Sequence, residues 1–490
     1  MNAPALSPER ARDVKRHVLR QTTAYAALRS VSGLVTWAAF VLLTRVLDQR
    51  SFGAFEIGMF YVGVGQIIGD GGLAASLVRR RGVVLRSQYR TALTAVSALA
   101  AALAVALFLS APFIGRINHL STSEVWALRA LSPLYLVPAL RVVPYAKLER
   151  KVNFAAIGRI ELYANLARHV TAVSVALLSG GVWALALSQL ALALTQVILA
   201  YRAEPGFPGF GFRRRAFLSL YGYGSKIQAS ILLIHFKDNL AAGLLGPALG
   251  PAAVGVFRFA LEFVRVPADI GSSLARVQFP VYAQNRRESP ELLSVVRGTL
   301  RGAFLIGLPA LGVFALGANW LVPTIYGNEW LAALPIITAL VPHVAADLLI
   351  FHLITFAQGR GRAGLALWIY GVWSLSLWLG SACALLLHGS LIGVAVAHGV
   401  GSTLTLLGLL WWASDYLRYP LYRALLPPLL AAAFAFSVAF FVRPHLACSA
   451  TTEAILSVPM FLASYVGCLL AIERGGAIRE FRAAIVMLRR

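Results

Sequence analysis

The sequence predicts an all-α polytopic membrane protein with about 14 transmembrane helices: two pseudo-symmetric six-helix lobes around a central cavity, plus two C-terminal helices. Three observations carry this prediction: composition, the spacing of apolar segments, and a faint internal repeat. Of the 490 residues, 59% are hydrophobic and only 13% are charged. The mean hydropathy of +0.73 is far above that of soluble domains, so the chain belongs with membrane proteins.

Fourteen apolar segments are long enough to cross a hydrocarbon core of about 30 Å as helices. The connections between them are short, which favours a helical bundle without a large soluble domain. The segments lie near residues 21–47, 52–78, 90–115, 123–146, 153–180, 182–201, 216–245, 253–281, 292–317, 331–357, 363–387, 390–414, 421–442 and 452–472.

Charge indicates the topology. The net charge is +24, which in a soluble protein would suggest a nucleic-acid partner. If the amino terminus is cytoplasmic, however, the loops on that side hold 28 Lys and Arg residues and the opposite loops hold 3. This asymmetry follows the positive-inside rule. We therefore expect no nucleic-acid partner, both termini in the cytoplasm, Arg213 inside and Arg443 outside.

The internal repeat has an offset of 202 residues. It relates Leu43, Leu47, Gly53, Phe55 and Gly69 to Leu245, Leu249, Gly255, Phe257 and Gly271. The offset maps the first six helices onto the next six, and parallel repeats of this kind place a binding site between the halves near the bilayer midplane.

The same offset predicts the domain boundaries. The linker is rich in Gly and Pro and then basic, as expected for a connection between lobes. The predicted parts are an N-terminal lobe (1–201), a cytoplasmic linker (202–215), a C-terminal lobe (216–416), two extra helices (417–473) and a basic cytoplasmic tail (474–490).

The helix predicted over 254–280 carries charges inside an apolar span. Arg258, Glu262, Arg265 and Asp269 are spaced so that they share one helical face. Each charge would cost about 2.5 to 3.5 kcal/mol at mid-bilayer, so the face must point towards protein or water. Two interpretations remain open: a self-neutralised i,i+4 ladder, or the wall of a polar transport cavity.

Three stretches resemble a known family: LLTRVLDQRSFGAFEI from residue 42, IGDGGLAASLVRR from residue 68, and GLLGPALGPAAVGVF from residue 243. They resemble the polysaccharide transporter branch of the multidrug/oligosaccharidyl-lipid/polysaccharide exporter superfamily. The resemblance implies a flippase of the bacterial inner membrane that moves an undecaprenyl-diphosphate-linked oligosaccharide for O-antigen, capsule or exopolysaccharide assembly. It also implies alternating access between two lobes, with a lipid-tail groove at the extra helices.

A diphosphate lipid calls for cationic side chains, and the arginine fork binds phosphate bidentately. The mid-helix candidates for the substrate-binding cations are Arg29, Lys226, Arg258 and Arg265. Other arginines near helix ends can snorkel to the interface and are weaker candidates: Arg159, Arg168, Arg297 and Arg301. For each one, an internal ion pair is the competing interpretation.

Acidic side chains in the spans form a second candidate set. They would pair with the arginines, loosen their hold on substrate, or bind a coupling ion, either H⁺ or Na⁺. His343 and Asp347 lie four residues apart, which suits a proton relay or a simple packing pair. The set comprises Glu56, Asp70, Asp238, Glu262, Asp269, His343 and Asp347. The lone histidines His235, His352 and His398 are interpreted as structural.

Signals for catalysis are absent from the sequence. There is no Walker A loop, no cytosolic Asp-x-Asp, and three dispersed cysteines do not form a metal or disulfide pattern. We therefore expect no enzyme and no cofactor, and the sequence leaves metal binding open. Expected partners are the lipid-linked oligosaccharide, membrane lipids and polysaccharide polymerase or chain-length machinery. The alternatives are a multidrug antiporter of the same superfamily and an O-antigen ligase or polymerase.

Overall fold

A computed structural model describes residues 8–80, 82–178, 180–284, 290–442 and 450–473. The described chain is helical and contains no strand in those ranges. It divides into two compact units, residues 1–255 and 256–490. The predicted basic tail and the position of Arg443 lie outside the described residues.

The first unit contains the helices up to Leu249, and a π-helical turn at Ala241–Leu245 precedes the last of them. They are α1 (Pro8–Val46), α2 (Gln49–Asp70), α3 (Leu73–Arg79), α4 (Arg86–Ile117), α5 (Thr122–Ala130), α6 (Pro133–Leu140), α7 (Val142–Arg150), α8 (Phe154–Leu178), α9 (Val182–Ala203), α10 (Arg214–Asp238) and α11 (Gly246–Leu249).

The next helix, α12 (Pro251–Gln284), begins in the first unit and continues into the second. After Leu321 come a π-helical turn at Val322–Tyr326 and a 3₁₀ helix at Asn328–Ala333. The helices of the second unit are α13 (Pro290–Leu321), α14 (Leu334–Gly359), α15 (Ala363–His388), α16 (Leu391–Leu417), α17 (Tyr422–Val442) and α18 (Ala450–Glu473).

Each of the fourteen predicted segments is helical in this structure. Among the described residues, ten helices are long and apolar enough to cross a membrane, or eleven if the bent pair α5–α6 with α7 forms one span. The remaining long helices are α8, α10 and α12, which carry several charged residues within otherwise apolar sequence. The chain is therefore a multi-pass membrane protein, and the count of fourteen spans stays a prediction.

Two predicted segments are broken into shorter helices. The segment 52–78 breaks where Gly71 and Gly72 adopt φ values of +54° and +70°, a left-handed conformation that glycine tolerates best. The segment 123–146 divides into α5, α6 and α7, with a bend of 41° between Leu140 and Val142. Prolines at 138 and 144 contribute to this bend because each lacks the amide hydrogen of a regular helix.

In the first unit, α8 packs against both α1 and α9, while α10 packs against α2, α3 and α4. The linker is fixed to α4: the Gly211 amide donates to Thr94 Oγ1 at 2.8 Å, and the Arg213 amide donates to Thr91 Oγ1 at 3.1 Å. The linker is therefore an ordered surface segment of this unit.

The first turns of α2 and α12 cross at two glycines. A Cβ on Gly53 would overlap the carbonyl oxygen of Pro251, and one on Gly255 would overlap the carbonyl oxygen of Gln49. The contact is reciprocal: in each helix, the carbonyl oxygen four residues before the glycine meets the glycine of the other helix. Residues 49 and 53 correspond to residues 251 and 255 at the 202-residue offset. Only residues without a side chain allow two helix backbones to approach this closely.

In the second unit, α16 packs against α14 and α15, and α13 packs against α14, α17 and α18. The Arg301 guanidinium on α13 forms an ion pair with the Glu473 carboxylate on α18 at 2.6 Å. Both side chains are nearly buried, at 12% and 8% exposed. Arg301 therefore fixes the last described helix, α18, to α13. This contact is the internal ion pair that was the competing interpretation of Arg301 in the sequence.

Candidate functional site

A polar seam joins α1 to α8 in the first unit. The Tyr25 hydroxyl donates to the Glu161 carboxylate at 3.1 Å, and the Asn165 amide donates to Ser32 Oγ at 3.0 Å. Arg29 lies one turn beyond Tyr25 and interacts with its hydroxyl. The Arg29 side chain itself is exposed, so this predicted cavity cation lies at the edge of the polar seam.

A cavity of about 270 Å³ lies inside the first unit between α2, α3, α4, α6 and α7. Its polar lining comes from Asp70 and Gln66 on α2, from Tyr135 on α6, and from Arg141, Tyr145 and Glu149 at and along α7. The Arg141 guanidinium lies over the Tyr145 ring, 4.7 Å from its centroid. The bend between α6 and α7 places Arg141 at the cavity, because this residue is the junction of the two helices.

Asp70 ends α2 and has partners on two sides. Its Oδ2 accepts a hydrogen bond of 2.7 Å from the Gln228 amide on α10. It also accepts from the backbone amides of Gly72 and Ala74 at the start of α3, and Arg141 is close enough to interact with it electrostatically. This predicted coupling acid is therefore both a helix cap and a wall of the cavity.

The charged face of α12 is paired in two different ways in the second unit. Arg258 forms an i,i+4 ion pair with Glu262 at 2.8 Å, as a ladder predicts. Arg265 instead reaches Asp347 on α14 at 3.5 Å, with the two side chains 17% and 23% exposed. The structure thus brings together three predicted site residues on α12 with one on α14.

His343 and Asp347 share a face of α14 but have different partners. His343 Nδ1 lies 2.7 Å from Ser402 Oγ, which also accepts a hydrogen bond from the Trp373 indole at 2.9 Å. His398 stacks edge-on to His343 at 5.3 Å between ring centroids. Both histidines are almost fully buried. This network fixes α14, α15 and α16 to one another. It fits the interpretation in which His343 packs helices together.

The remaining predicted residues are more scattered. Glu56 is half-buried on α2, and Asp238 forms an ion pair of 2.6 Å with the neighbouring Lys237. His235 lies 3.0 Å from the Phe60 carbonyl oxygen and stacks on the Phe60 ring, in keeping with a structural role. The structure does not describe the side chains of Lys226 and Asp269.

Sequence reasoning missed Arg141, Gln228 and the Tyr25–Glu161 pair. Arg141 lies inside an apolar segment. Because an intramembrane charge is costly, Arg141 could have been identified in the same way as Arg265. Glu161 carried the same signal, because it is a carboxylate inside the apolar segment 153–180. Tyr25 and Gln228 gave none, because they are neutral and their partners are more than a hundred residues away in sequence. Gln228 carries no charge, so its contact with Asp70 is what makes it notable.

Three curated relatives are similar in sequence over much of the chain. The teichuronic acid biosynthesis protein TuaB of Bacillus subtilis is 25% identical over 76% of this chain and 78% of its own length. The succinoglycan biosynthesis transport protein ExoT of Rhizobium meliloti is 24% identical over 76% and 74%. The lipopolysaccharide biosynthesis protein WzxC of Escherichia coli is 24% identical over 61% of each chain.

Solved structures share the fold at low identity. A lipid II flippase MurJ in an inward closed conformation matches with a TM-score of 0.71 and 13% identity, over 92% of this chain and 98% of that one. An inward-facing multidrug resistance transporter of the MATE family, from the MOP superfamily, matches with a TM-score of 0.62 and 15% identity, over 80% and 96%.

The family model described as "Polysaccharide biosynthesis protein" matches residues 42–335. That range is more than half of the chain and contains the first-unit cavity and the charged face of α12, whereas the α1 residues of the polar seam precede it. The match agrees with the resemblance seen in the sequence. The chain therefore belongs to the polysaccharide biosynthesis protein family, with the fold of the multidrug/oligosaccharidyl-lipid/polysaccharide exporter superfamily.

Proposed function

We propose that this protein is a flippase that moves a polyprenyl-diphosphate-linked oligosaccharide across the bacterial inner membrane by alternating access. The observation that carries the proposal is the family match over residues 42–335 on a fold shared with a lipid II flippase. Relatives named for teichuronic acid, lipopolysaccharide and succinoglycan synthesis point to surface polysaccharide as the product. The activity is transport, and no enzymatic step is proposed.

The headgroup would be held by arginines that are partly withdrawn from water. Arg258 and Arg265 are 26% and 17% exposed, and Arg29 lies beside Tyr25 on the polar seam. Charge-assisted, bidentate hydrogen bonds are stronger than neutral ones, especially at low dielectric. The lipid tail would stay in the bilayer, and α17 and α18 are candidates for a groove beside it.

We further propose that the chain is built from two lobes, residues 1–201 and 216–416, which rock about a central cavity. The reciprocal crossing of Gly53 and Gly255 supports this architecture, because contacts that exchange under a fixed offset are typical of two-fold related elements. The linker at 202–215 and the extra helices at 417–473 complete the arrangement.

The proposed orientation has both termini and Arg213 in the cytoplasm, because basic loop residues follow the positive-inside rule. We expect an impermeant maleimide added to intact cells to label Arg116→Cys and spare Arg213→Cys, in a background in which the three native cysteines are serine. Permeabilised cells, in which both positions should react, give the control. Labelling of position 213 from outside would reverse the topology.

Transport against a gradient needs an energy source, and a coupling ion, H⁺ or Na⁺, is part of the proposal. Polymerase and chain-length machinery are proposed as protein partners that take over the exported unit. A multidrug antiporter is the alternative from the same superfamily, favoured by the shared MATE fold. Arg29 on α1, whose side chain is exposed, disfavours it because a positive charge there would repel cationic drugs.

Purified protein in proteoliposomes provides the test. A fluorescent polyprenyl-diphosphate oligosaccharide is placed in the inner leaflet, and its arrival outside is measured with an impermeant lectin. We expect translocation that depends on the protein and a loss of at least about tenfold in Arg265→Ala.

Protein-free liposomes and the same lipid without its oligosaccharide are the controls. Translocation at the protein-free rate, together with export of cationic dyes by the same vesicles, would reject the flippase in favour of the drug antiporter.

A further inference from the structure

The first-unit cavity contains a carboxylate that the proposed substrate contacts do not use. Asp70 lies at its wall, half-buried, with Arg141 and Glu149 among the other lining residues. The two carboxylates face a single guanidinium, so the described cavity carries one negative charge more than positive. A carboxylate withdrawn from bulk water is stabilised by hydrogen bonds, by a cation or by a proton.

The surroundings of Asp70 favour the proton. Across the cavity, α7 contributes Arg141, Tyr145 and Glu149 to the lining and α6 contributes Tyr135, while α3 and α4 contribute only apolar side chains. From α10, Gln228 bonds Asp70 directly. A proton needs one carboxylate, whereas Na⁺ needs several oxygen ligands away from a guanidinium.

Gln228 suits both protonation states of its partner. Its amide NH₂ donates to the carboxylate at 2.7 Å. Its amide oxygen can accept from a protonated carboxyl after a flip, because glutamine carries both a donor and an acceptor. The first bond is charge-assisted and the second is neutral, and charge-assisted bonds are roughly twice as strong.

We propose that Asp70 is a proton-binding site, and that loading it weakens the hydrogen bond by which α10 is held against α2. In the deprotonated state the Asp70–Gln228 bond holds the two helices together beside Ser76, whose hydroxyl donates to the Leu220 carbonyl oxygen at 2.6 Å. Protonation leaves a weaker bond, and α10 separates from α2 at this end.

The transport consequence rests on the proposed function. In the proposed topology Asp70 lies at the cytoplasmic end of α2, since the basic residues Arg79 and Arg80 follow it at the end of α3. A proton bound at Asp70 would then favour opening towards the cytoplasm, where it is released. This cycle returns the empty transporter to the state open towards the cytoplasm, and it exchanges protons for the exported lipid.

The test measures the separation of α2 and α10 by electron paramagnetic resonance. Nitroxides are attached to Ile68→Cys and Leu218→Cys, both exposed positions, in the cysteine-free protein in nanodiscs. Between about pH 8 and about pH 4, the ratio of separated to close populations should rise about tenfold. Asp70→Asn and Gln228→Leu should show the separated population at both pH values.

The matched control is Glu204→Gln, the same carboxylate-to-amide change at a largely buried carboxylate that pairs with the exposed Lys151. This variant should respond to pH as the unmodified protein does. The proposal is overturned if Asp70→Asn still responds to pH, if Gln228→Leu behaves like the unmodified protein, or if Na⁺ rather than pH moves the populations.

Lipid translocation is measured on the same preparations to separate the two proposals. Normal translocation without a pH response rejects the proton site alone. A pH response that vanishes in Asp70→Asn, with no translocation by the unmodified protein, rejects the flippase function and leaves the proton site standing.

Discussion

Gly53→Ala and Gly255→Ala are each expected to destabilise the protein by about 3 kcal/mol, the upper part of the range for overpacked sites. Each new methyl group would overlap a backbone carbonyl oxygen, that of Pro251 or that of Gln49. Rotation of a side chain cannot relieve such an overlap, so α2 and α12 must move apart. The folded fraction after heating, measured by fluorescence-detected size-exclusion chromatography, gives the apparent melting temperature.

Gly302→Ala on α13 is the matched control, because a Cβ there meets nothing within 4 Å. Alanine in an open helical position stabilises by roughly 0.5 to 1 kcal/mol relative to glycine. The two kinds of substitution should therefore shift the melting temperature in opposite directions, although each adds a single methyl group to a helix.

The double variant Gly53→Ala with Gly255→Ala tests whether the two glycines share one crossing. Once the first methyl group has separated the helices, the second should cost much less than it does alone, as expected for residues in contact. Fully additive losses would show that the sites are independent, and a melting temperature at or above that of the unmodified protein would show that the helices do not touch there.

The helices were predictable because apolar length is a local property. Each segment near 20 residues predicted a helix, and the structure contains a helix at each one. The breaks at Gly71 and Gly72 and between α6 and α7 were not predicted, because apolar character continues through both. Pro138 and Pro144 did signal the second break, but residues 123–146 were predicted as one straight segment.

Partners were predictable only where they lie on the same helix. The i,i+4 spacing predicted the Arg258–Glu262 pair, which the structure contains. The partner of Arg265 lies 82 residues away on α14, and the spacing on α12 suggested Glu262 equally well. The Asp70–Gln228 bond was likewise invisible, since long-range contacts depend on how the helices pack.

Arg265→Ala is expected to reduce lipid translocation by roughly ten- to hundredfold, the equivalent of about 1.5 to 3 kcal/mol for a lost hydrogen bond to a charged group. The same substitution leaves Asp347 without its ion-pair partner on α12. A broken, partly buried ion pair is itself destabilising by up to about 3 to 5 kcal/mol. Loss of transport alone therefore does not distinguish contact with substrate from a structural ion pair.

The decisive comparison is Arg265→Ala against Arg265→Ala with Asp347→Ala, at equal amounts of folded protein in proteoliposomes. Removing both partners also removes the uncompensated carboxylate, so the double variant should regain stability. We expect it to remain inactive in translocation, because the guanidinium that binds the diphosphate is still missing. Arg265→Lys should be partly active, since lysine keeps the charge but cannot form the bidentate fork.

Arg258→Ala with Glu262→Ala provides the matched control on the same helix. This pair is also an Arg–carboxylate contact, but its side chains are more exposed, at 26% and 41%, and exposed pairs contribute at most about 1 kcal/mol. Loss of stability in this control should accordingly be small, so a loss of translocation there would identify Arg258 as a second headgroup contact. Full recovery of translocation in Arg265→Ala with Asp347→Ala would show that Arg265 only neutralises Asp347, and would transfer the diphosphate contact to Arg258 or Arg29.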